Sequence, residues 1–414
     1  MNNSNVQITF LWPFYGLVSA LKNWRKPWAM NVFWVACIYL GAIQIYCPAG
    51  HTLGDGADGG RYALQLIEMH KGDLGLVKQI ALNFTESNAM DYYQLILTWF
   101  VSLLTDNPHV LFACFAAVFG FFYSRNMWYV LNHISGPVNT TIAIFIGILF
   151  LTCPIWQING VRMWTATHIF MFALLPYIWD GDSKKLYWLI AVPFVHFSFL
   201  YFVLLSLVLI LLPNSFTSET KLVTRLLAGL LLLTLAFSSL QISAVTNLLE
   251  KFSPDSYQDR IDLYTRDSAF ANMVESRLTV NWYVTAARDI YYWGANILLL
   301  VLAFSPNLDR KERKLLNYCL FISSIANLAS QIPSGARFLT IAHLFTISLV
   351  IWHLCKAERP LFRNESKYCS QTLVITLIFS IRSGLDYYGI SLLIGDYLTC
   401  LFWDNNVPII NFIK

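Results

Sequence analysis

The sequence predicts an all-α polytopic integral membrane protein, and three observations carry that prediction. Hydrophobic residues make up 57% of the 414-residue chain and charged residues only 13%, where soluble domains carry about 25% charged. Apolar runs approaching the ~20 residues that span a hydrocarbon core recur along the whole length. Lysine and arginine gather in short clusters between the runs, as cytoplasmic loops require. The net charge of +4 is spread over these loops, which excludes a basic nucleic-acid surface. No P-loop, nucleophile elbow, HExxH or dinucleotide fingerprint is present. The eight cysteines form no CxxC pair and read as small buried hydrophobes.

Residues 8–21 read as an interfacial helix and 28–47 as the first span. Lys22, Arg25 and Lys26 precede that span with no small-residue cleavage site after it, so a signal peptide is not expected and the N-terminus is placed in the cytoplasm. Residues 48–107 then form a first external loop. It opens with HTLGDGADGGRY, continues with an amphipathic stretch over 62–84, and ends with a short apolar segment, 92–105, read as re-entrant rather than spanning. Residues 110–131 cross inward, 138–153 outward and 162–179 inward again. The run 186–212 poses a parity problem: as one crossing it would put the basic clusters Arg310–Lys314 and Lys356–Lys367 outside. A broken hairpin turning near Pro193–His196 removes the conflict, because proline interrupts a helix interior. The alternative, a full crossing at 92–105, would move Lys184 and Lys185 outside. Further crossings at 222–243, 288–304, 315–331, 338–353 and 372–386 flank a second external loop, 244–287. The total is about ten to eleven spans in a single domain, 1–414, with the C-terminal tail outside.

In this topology the ionisable groups gather at the outer face. Arg162 opens one helix and Arg337, in PSGAR, opens another; His196 sits at the hairpin tip. Asp55, Asp58 and Arg61 lie in the first loop, and Arg277 and Arg288 belong to or border the second. External arginines run against the positive-inside rule. At helix mouths they point to an anionic partner, since guanidinium grips phosphate oxygens bidentately and a helix N-terminus adds partial positive charge. Blander readings stand beside these. Either arginine alone could snorkel to the headgroups, and a lone histidine is commonly a core residue. His168 reads as structural. Asp55 and Asp58 sit among four glycines, where turn chemistry accounts for them; two carboxylates are a weak metal signal, and no metal or other cofactor is expected.

Three stretches, NGVRMWTATHIFMFAL, KKLYWLIAVPFVHFSFL and GARFLTIAHLF, together with DGADGGRY in the first loop, resemble the EpsG family of Wzy-type membrane polysaccharide polymerases. The first matches that family's N-x-x-R-x-x-x-A helix and departs from it at Trp164–Thr165, where the family often has Gln-Gly. The resemblance implies a GT-C-like glycosyltransferase bundle in the bacterial inner membrane. Its donor and acceptor would be oligosaccharide repeat units on undecaprenyl diphosphate, joined at the periplasmic face for O-antigen or capsule. Membrane lipids and a chain-length regulator would be its other partners. In that chemistry Arg162 and Arg337 would stabilise the leaving diphosphate, with Arg288 as a weaker third. His196 would act as base, with Asp55 or Asp58 in reserve, and Arg61 would clamp a substrate. Competing readings are a GT-C transferase using a polyprenyl monophosphate sugar with Asp55 and Asp58 holding a metal, a ligase of finished chains, and a flippase or transporter. The last predicts two related halves, and the halves here do not match.

Overall fold

The computed structural model describes residues 11–47, 53, 58–72, 75–87, 91–211, 221–237, 282–305, 308–331, 334–356, 360–402 and 407–412. Almost all of the second expected loop, 244–287, lies outside them. The described residues form sixteen α-helices, several 3-10 turns and no strand.

The N-terminal helix α1 (Pro13–Lys22) is followed by α2 (Ala29–Ala42), and the first loop carries α3 (Asp58–Lys71), α4 (Leu76–Ser87) and α5 (Tyr92–Ser102). Next come α6 (Pro108–Asn132), α7 (Thr140–Thr152), α8 (Val161–Asp180), α9 (Trp188–Val195), α10 (Leu200–Leu211) and α11 (Lys221–Phe237). Then follow α12 (Trp282–Phe304), α13 (Arg310–Ala329), α14 (Leu339–Cys355), α15 (Pro360–Leu385) and the short α16 (Ser391–Ile394). Local signals set the boundaries. Asn107 caps α6, accepting from the His109 N–H at 2.9 Å, and Pro108 takes the first helical position. Asn139 caps α7 through the Ile142 N–H at 2.9 Å, and Pro154 follows its end. Asp309 and Glu312 form a reciprocal capping box at the start of α13.

The bundle has two chemically distinct ends. α2 and α6 run antiparallel: Trp128 donates to the Trp24 carbonyl at one end (3.0 Å), and His109 Nδ1 meets the Ala42 carbonyl at the other (2.7 Å). The first is a basic end. There Asp180, closing α8, accepts from Tyr129 and Lys311, and Glu312 of α13 meets His353 of α14 at 2.9 Å and Lys356 at 3.4 Å. The opposite end joins Gln44 to the Trp156 carbonyl (2.9 Å), the Ile45 N–H to the Tyr387 carbonyl (2.8 Å) and Asn107 to the Leu401 carbonyl (3.0 Å). Between the ends lies an aromatic core in which Phe33 packs on Tyr123, Trp128 and Phe150. His168 is fully buried there, its Nε2 at 3.0 Å from the Cys153 carbonyl, in the structural role expected of it. Cys37, Cys153, Cys319, Cys355 and Cys400 are likewise buried.

The hairpin expected within 186–212 is present. α9 has 8 residues, about 12 Å at 1.5 Å per residue, too short to cross a ~30 Å core. Trp188, at its start, packs on Phe122 and Phe172. After the turn at His196, α10 returns toward the basic end, where Leu209 and Ile210 share a small cavity with Tyr177 and Lys314.

Other expectations are adjusted. The amphipathic stretch 62–84 is two helices, because Gly72 and Gly75 interrupt it. The segment at 92–105 is the 11-residue α5, about 16 Å long and short of a span. α1 packs against α2, the Trp12 indole reaches the Leu393 carbonyl at 2.5 Å, and Val18 and Leu21 stay exposed. Against the expected ten to eleven crossings, three helical stretches among the described residues have both the length and the hydropathy of a span: Pro108–Asn132, Thr140–Asp180 and Gly335–Cys355. Ala29–Ala42 and Phe197–Leu211 are apolar but shorter. α13 fails on charge, since Arg310, Lys311, Arg313 and Lys314 occupy its first turns.

Candidate functional site: an ion-paired cluster at the end opposite the basic loops

Pro154 opens a 3-10 turn, Ile155–Gly160, that runs directly into α8, and Arg162 is the second residue of that helix. Its guanidinium reaches Asp91 Oδ2 at 3.1 Å. Asp91 occupies the N-cap position of α5 yet makes no side-chain bond to its own helix. Instead Oδ1 accepts the Phe197 N–H at 2.6 Å, and Oδ2 also lies 3.3 Å from His196 Nδ1. The extended backbone of His196 (φ −150°, ψ 110°) separates α9 from the 3-10 turn Phe197–Phe199 and turns both groups toward the carboxylate. The Asp91 side chain is 5% exposed and that of Arg162 32% exposed, so the acid is sealed while the cation still has an open side. Burial by itself would raise the Asp91 pKa. The His196 hydrogen bond and charge, the Arg162 charge and the Phe197 N–H outweigh it and hold the carboxyl below its ordinary value.

The start of α3 docks beside this cluster. A Cβ on Gly59 would stand 2.6 Å from Asn159 Oδ1 in the turn that precedes Arg162 and 3.1 Å from the Tyr46 carbonyl oxygen, so a larger residue here would make Asn159 shift. That contact sets Tyr62 against Arg162: the tyrosine hydroxyl is buried and faces the guanidinium. Asp58 and Arg61 form an ion pair one turn apart, and the arginine is 59% exposed. Asp58 is thus engaged by a cation, and it also lies within electrostatic reach of Arg162.

Arg337 comes from a second tight turn. Ser334 has φ 65°, and Gly335 packs so closely on the end of α13 that a Cβ would lie 1.8 Å from the Ala329 carbonyl oxygen. The 3-10 turn Gly335–Phe338 then leads into α14. Phe338 stacks on Phe202 with ring centres 4.6 Å apart and meets Phe199 at 5.9 Å; Phe199 in turn lies 6.1 Å from the His196 ring. Arg337 is therefore carried on a turn that borders the His196 turn. Its guanidinium is exposed and has no ion-pair partner among the described residues. Arg288 is exposed on α12, one turn before Tyr291, whose hydroxyl meets Thr152 at the end of α7. It shares the same end of the bundle but touches no member of the cluster among the described residues. Asp55 and Arg277 lie outside the described residues.

Two features differ from the sequence expectation. Neither arginine stands at a bare helix N-terminus. Each sits where a 3-10 turn passes into an α-helix, and at α14 the Leu339 N–H is already bonded to the Ala336 carbonyl. Binding of an anion here falls to the guanidinium groups rather than to free backbone N–H groups. The second feature is Asp91, which sequence reasoning missed. The signal was available: one acid directly ahead of an apolar run, the counterpart of the Arg162 signal.

The architecture defines a class first: a helical membrane protein with an ion-paired, partly exposed arginine cluster at one end and basic loops at the other. Within that class, the EpsG family model matches residues 36–388, and the chain belongs to the EpsG family, a family of Wzy-like polymerases of polysaccharide biosynthesis. Comparison with characterised proteins and with solved structures gives no match.

Proposed function

We propose that the protein elongates a surface polysaccharide by joining oligosaccharide repeat units carried on a polyprenyl diphosphate. The reaction takes place at the periplasmic face of a bacterial inner membrane, where the end holding Arg162, Asp91 and His196 faces outward. The single observation that best supports this reading is the Asp91–Arg162–His196 cluster, which couples a partly open cation to an oriented imidazole. The acceptor hydroxyl attacks the anomeric carbon of the donor chain, and the bond from that carbon to the diphosphate oxygen breaks. His196, held through Nδ1 by Asp91, takes the hydroxyl proton on Nε2. Arg162 and Arg337 stabilise the charge that develops on the departing diphosphate, with Arg61 and Arg288 steering substrate at the rim. Three guanidiniums (Arg61, Arg162, Arg337) set against two carboxylates (Asp58, Asp91) leave net positive charge for a dianionic head. The test is the glycan itself. Deleting the gene should reduce the surface polysaccharide to a single repeat on its lipid or acceptor, read by gel electrophoresis. A full-length glycan ladder in the deletion strain would reject the proposal.

A further inference from the structure

The Tyr62 hydroxyl is a buried polar atom beside the cluster that takes no part in the chemistry above. Tyr62 is 6% exposed, and its hydroxyl makes no hydrogen bond among the described residues. A buried hydroxyl without a partner costs free energy, so its place next to a guanidinium calls for a reason. Contacts elsewhere along α3 fix it there. The Tyr62 ring stands edge-on to Phe115 of α6, with ring centres 5.9 Å apart. Three residues on, Gln65 Oε1 accepts from Gln94 Nε2 of α5 at 2.8 Å, and near the end of α3 His70 Nδ1 meets the Ser102 carbonyl at 2.6 Å. α3 is thus tied along its length to α5, the helix whose N-cap position holds Asp91. Asp91 and Tyr62 approach Arg162 from two helices that are bonded to each other.

A guanidinium carries five N–H donors, and Arg162 gives one to Asp91 at 3.1 Å. The Tyr62 oxygen is an acceptor facing the same group, and it is sealed from solvent, so it cannot itself touch a substrate. We infer that Tyr62 is a positioning residue for Arg162: its oxygen takes a second guanidinium N–H in the reacting complex, so that the guanidinium plane is held between Asp91 and Tyr62 with its open edge toward the leaving group. The inference rests on the role proposed above for Arg162 and adds that the first external loop supplies the second half of the grip. A guanidinium held on one side only can still turn about that contact. Held on two sides, it presents the remaining N–H groups in one plane, the geometry that matches phosphate oxygens. Hydrogen bonds of catalytic groups are commonly long before substrate binds and tighten in the reacting complex. A contact that is unmade at rest and made during the reaction acts on the transition state rather than on ground-state binding.

The test uses the full-length protein in detergent and in liposomes. Tyr62→Phe removes the oxygen and leaves the ring on Phe115. Its kcat for elongation of lipid-linked repeats should fall by about tenfold, the scale of one hydrogen bond to a charged group. KM should stay within about twofold of wild type, the split expected when an interaction made only in the transition state is lost. The melting temperature should be no lower than wild type, since the variant discards an unpartnered buried hydroxyl. Arg162→Lys tests the route, because lysine has no planar fork to orient. In single-turnover elongation, adding Tyr62→Phe to Arg162→Lys should cost less than about twofold, as two residues acting through one group require. A kcat of Tyr62→Phe within about twofold of wild type would overturn the assignment. So would losses that multiply in the double variant, or a fall in kcat that comes with a lower melting temperature, which would make Tyr62 a packing residue of α3. If Arg162→Lys is too slow to time, Tyr62→Phe decides alone through kcat, KM and melting temperature. Any of these failures, in a wild-type protein that elongates, removes the role of Tyr62 and leaves the polymerase reading intact. A wild type that elongates no lipid-linked repeat would remove both.

Discussion

Asp91 holds three groups at once: the Arg162 guanidinium, the His196 imidazole and the Phe197 N–H. Asparagine at this position would still accept the Phe197 N–H but would carry no charge to orient the imidazole. Asp91→Asn should therefore fold, with a melting temperature near wild type, yet lose elongation by roughly 10²-fold or more, the scale of general acid–base contributions. Thermal unfolding in detergent and elongation of lipid-linked repeats check the two halves. Arg162 was legible in the sequence because a cation just inside an apolar helix is costly without a use. Asp91 was not legible to the same degree: it is a lone acid ahead of a short apolar run, and nothing in the sequence sets it apart from the glycine-flanked Asp55 and Asp58. What separates Asp91 from Asp58 is burial, 5% against 25% exposed, which depends on α8 and the α9–α10 hairpin closing over it.

Among the elements, the hairpin of α9 and α10 was legible for a physical reason. Charge parity asks the run to return to the side it left, and Pro193 marks the neighbourhood of the turn, although the helix carries that proline inside it and ends only at His196. Its consequence was not legible: the turn delivers a backbone N–H and an imidazole to an acid about a hundred residues earlier in the chain. The turn before α14 depends on an equally local device. Gly335 lies against the Ala329 carbonyl, where a Cβ would overlap backbone rather than a movable side-chain tip. Gly335→Ala should push the Arg337 turn away from α13, lowering elongation severely and destabilising the protein by about 1–3 kcal/mol, the range for overpacking. Steady-state elongation and thermal unfolding measure both effects. The breaks at Gly72 and Gly75 are local, set by the glycines themselves, and a linear reading of hydropathy does not register them.

For the molecule as a whole, the separation of a basic end from the Arg162 end is the feature the sequence displayed most clearly, since the basic clusters alone imply it. The basic end also ties the bundle together. Glu312 is fully buried between His353 and Lys356. Burial alone would raise its pKa; the His353 hydrogen bond, the Asp309 N–H and the charges of His353 and Lys356 instead lower it from 4.5 to about 2. A carboxyl with a depressed folded-state pKa stabilises the fold above its unfolded value and loses that contribution as pH falls. Wild-type stability should hold from neutral pH down to about 4.5 and fall away toward 2. Glu312→Ala should cost about 3–5 kcal/mol at pH 7, because it strands the partners of a buried pair. The difference between wild type and variant should shrink through the same acid window in chemical or thermal unfolding. At this scale the account depends on guanidiniums from α8 and from the turn before α14 acting on one substrate at one end of the bundle. The most direct measurement is elongation of lipid-linked repeats by purified Arg162→Ala and Arg337→Ala proteins that retain wild-type elution on size exclusion. The account predicts that both stop at the unextended repeat; chains of wild-type length from both variants would contradict it.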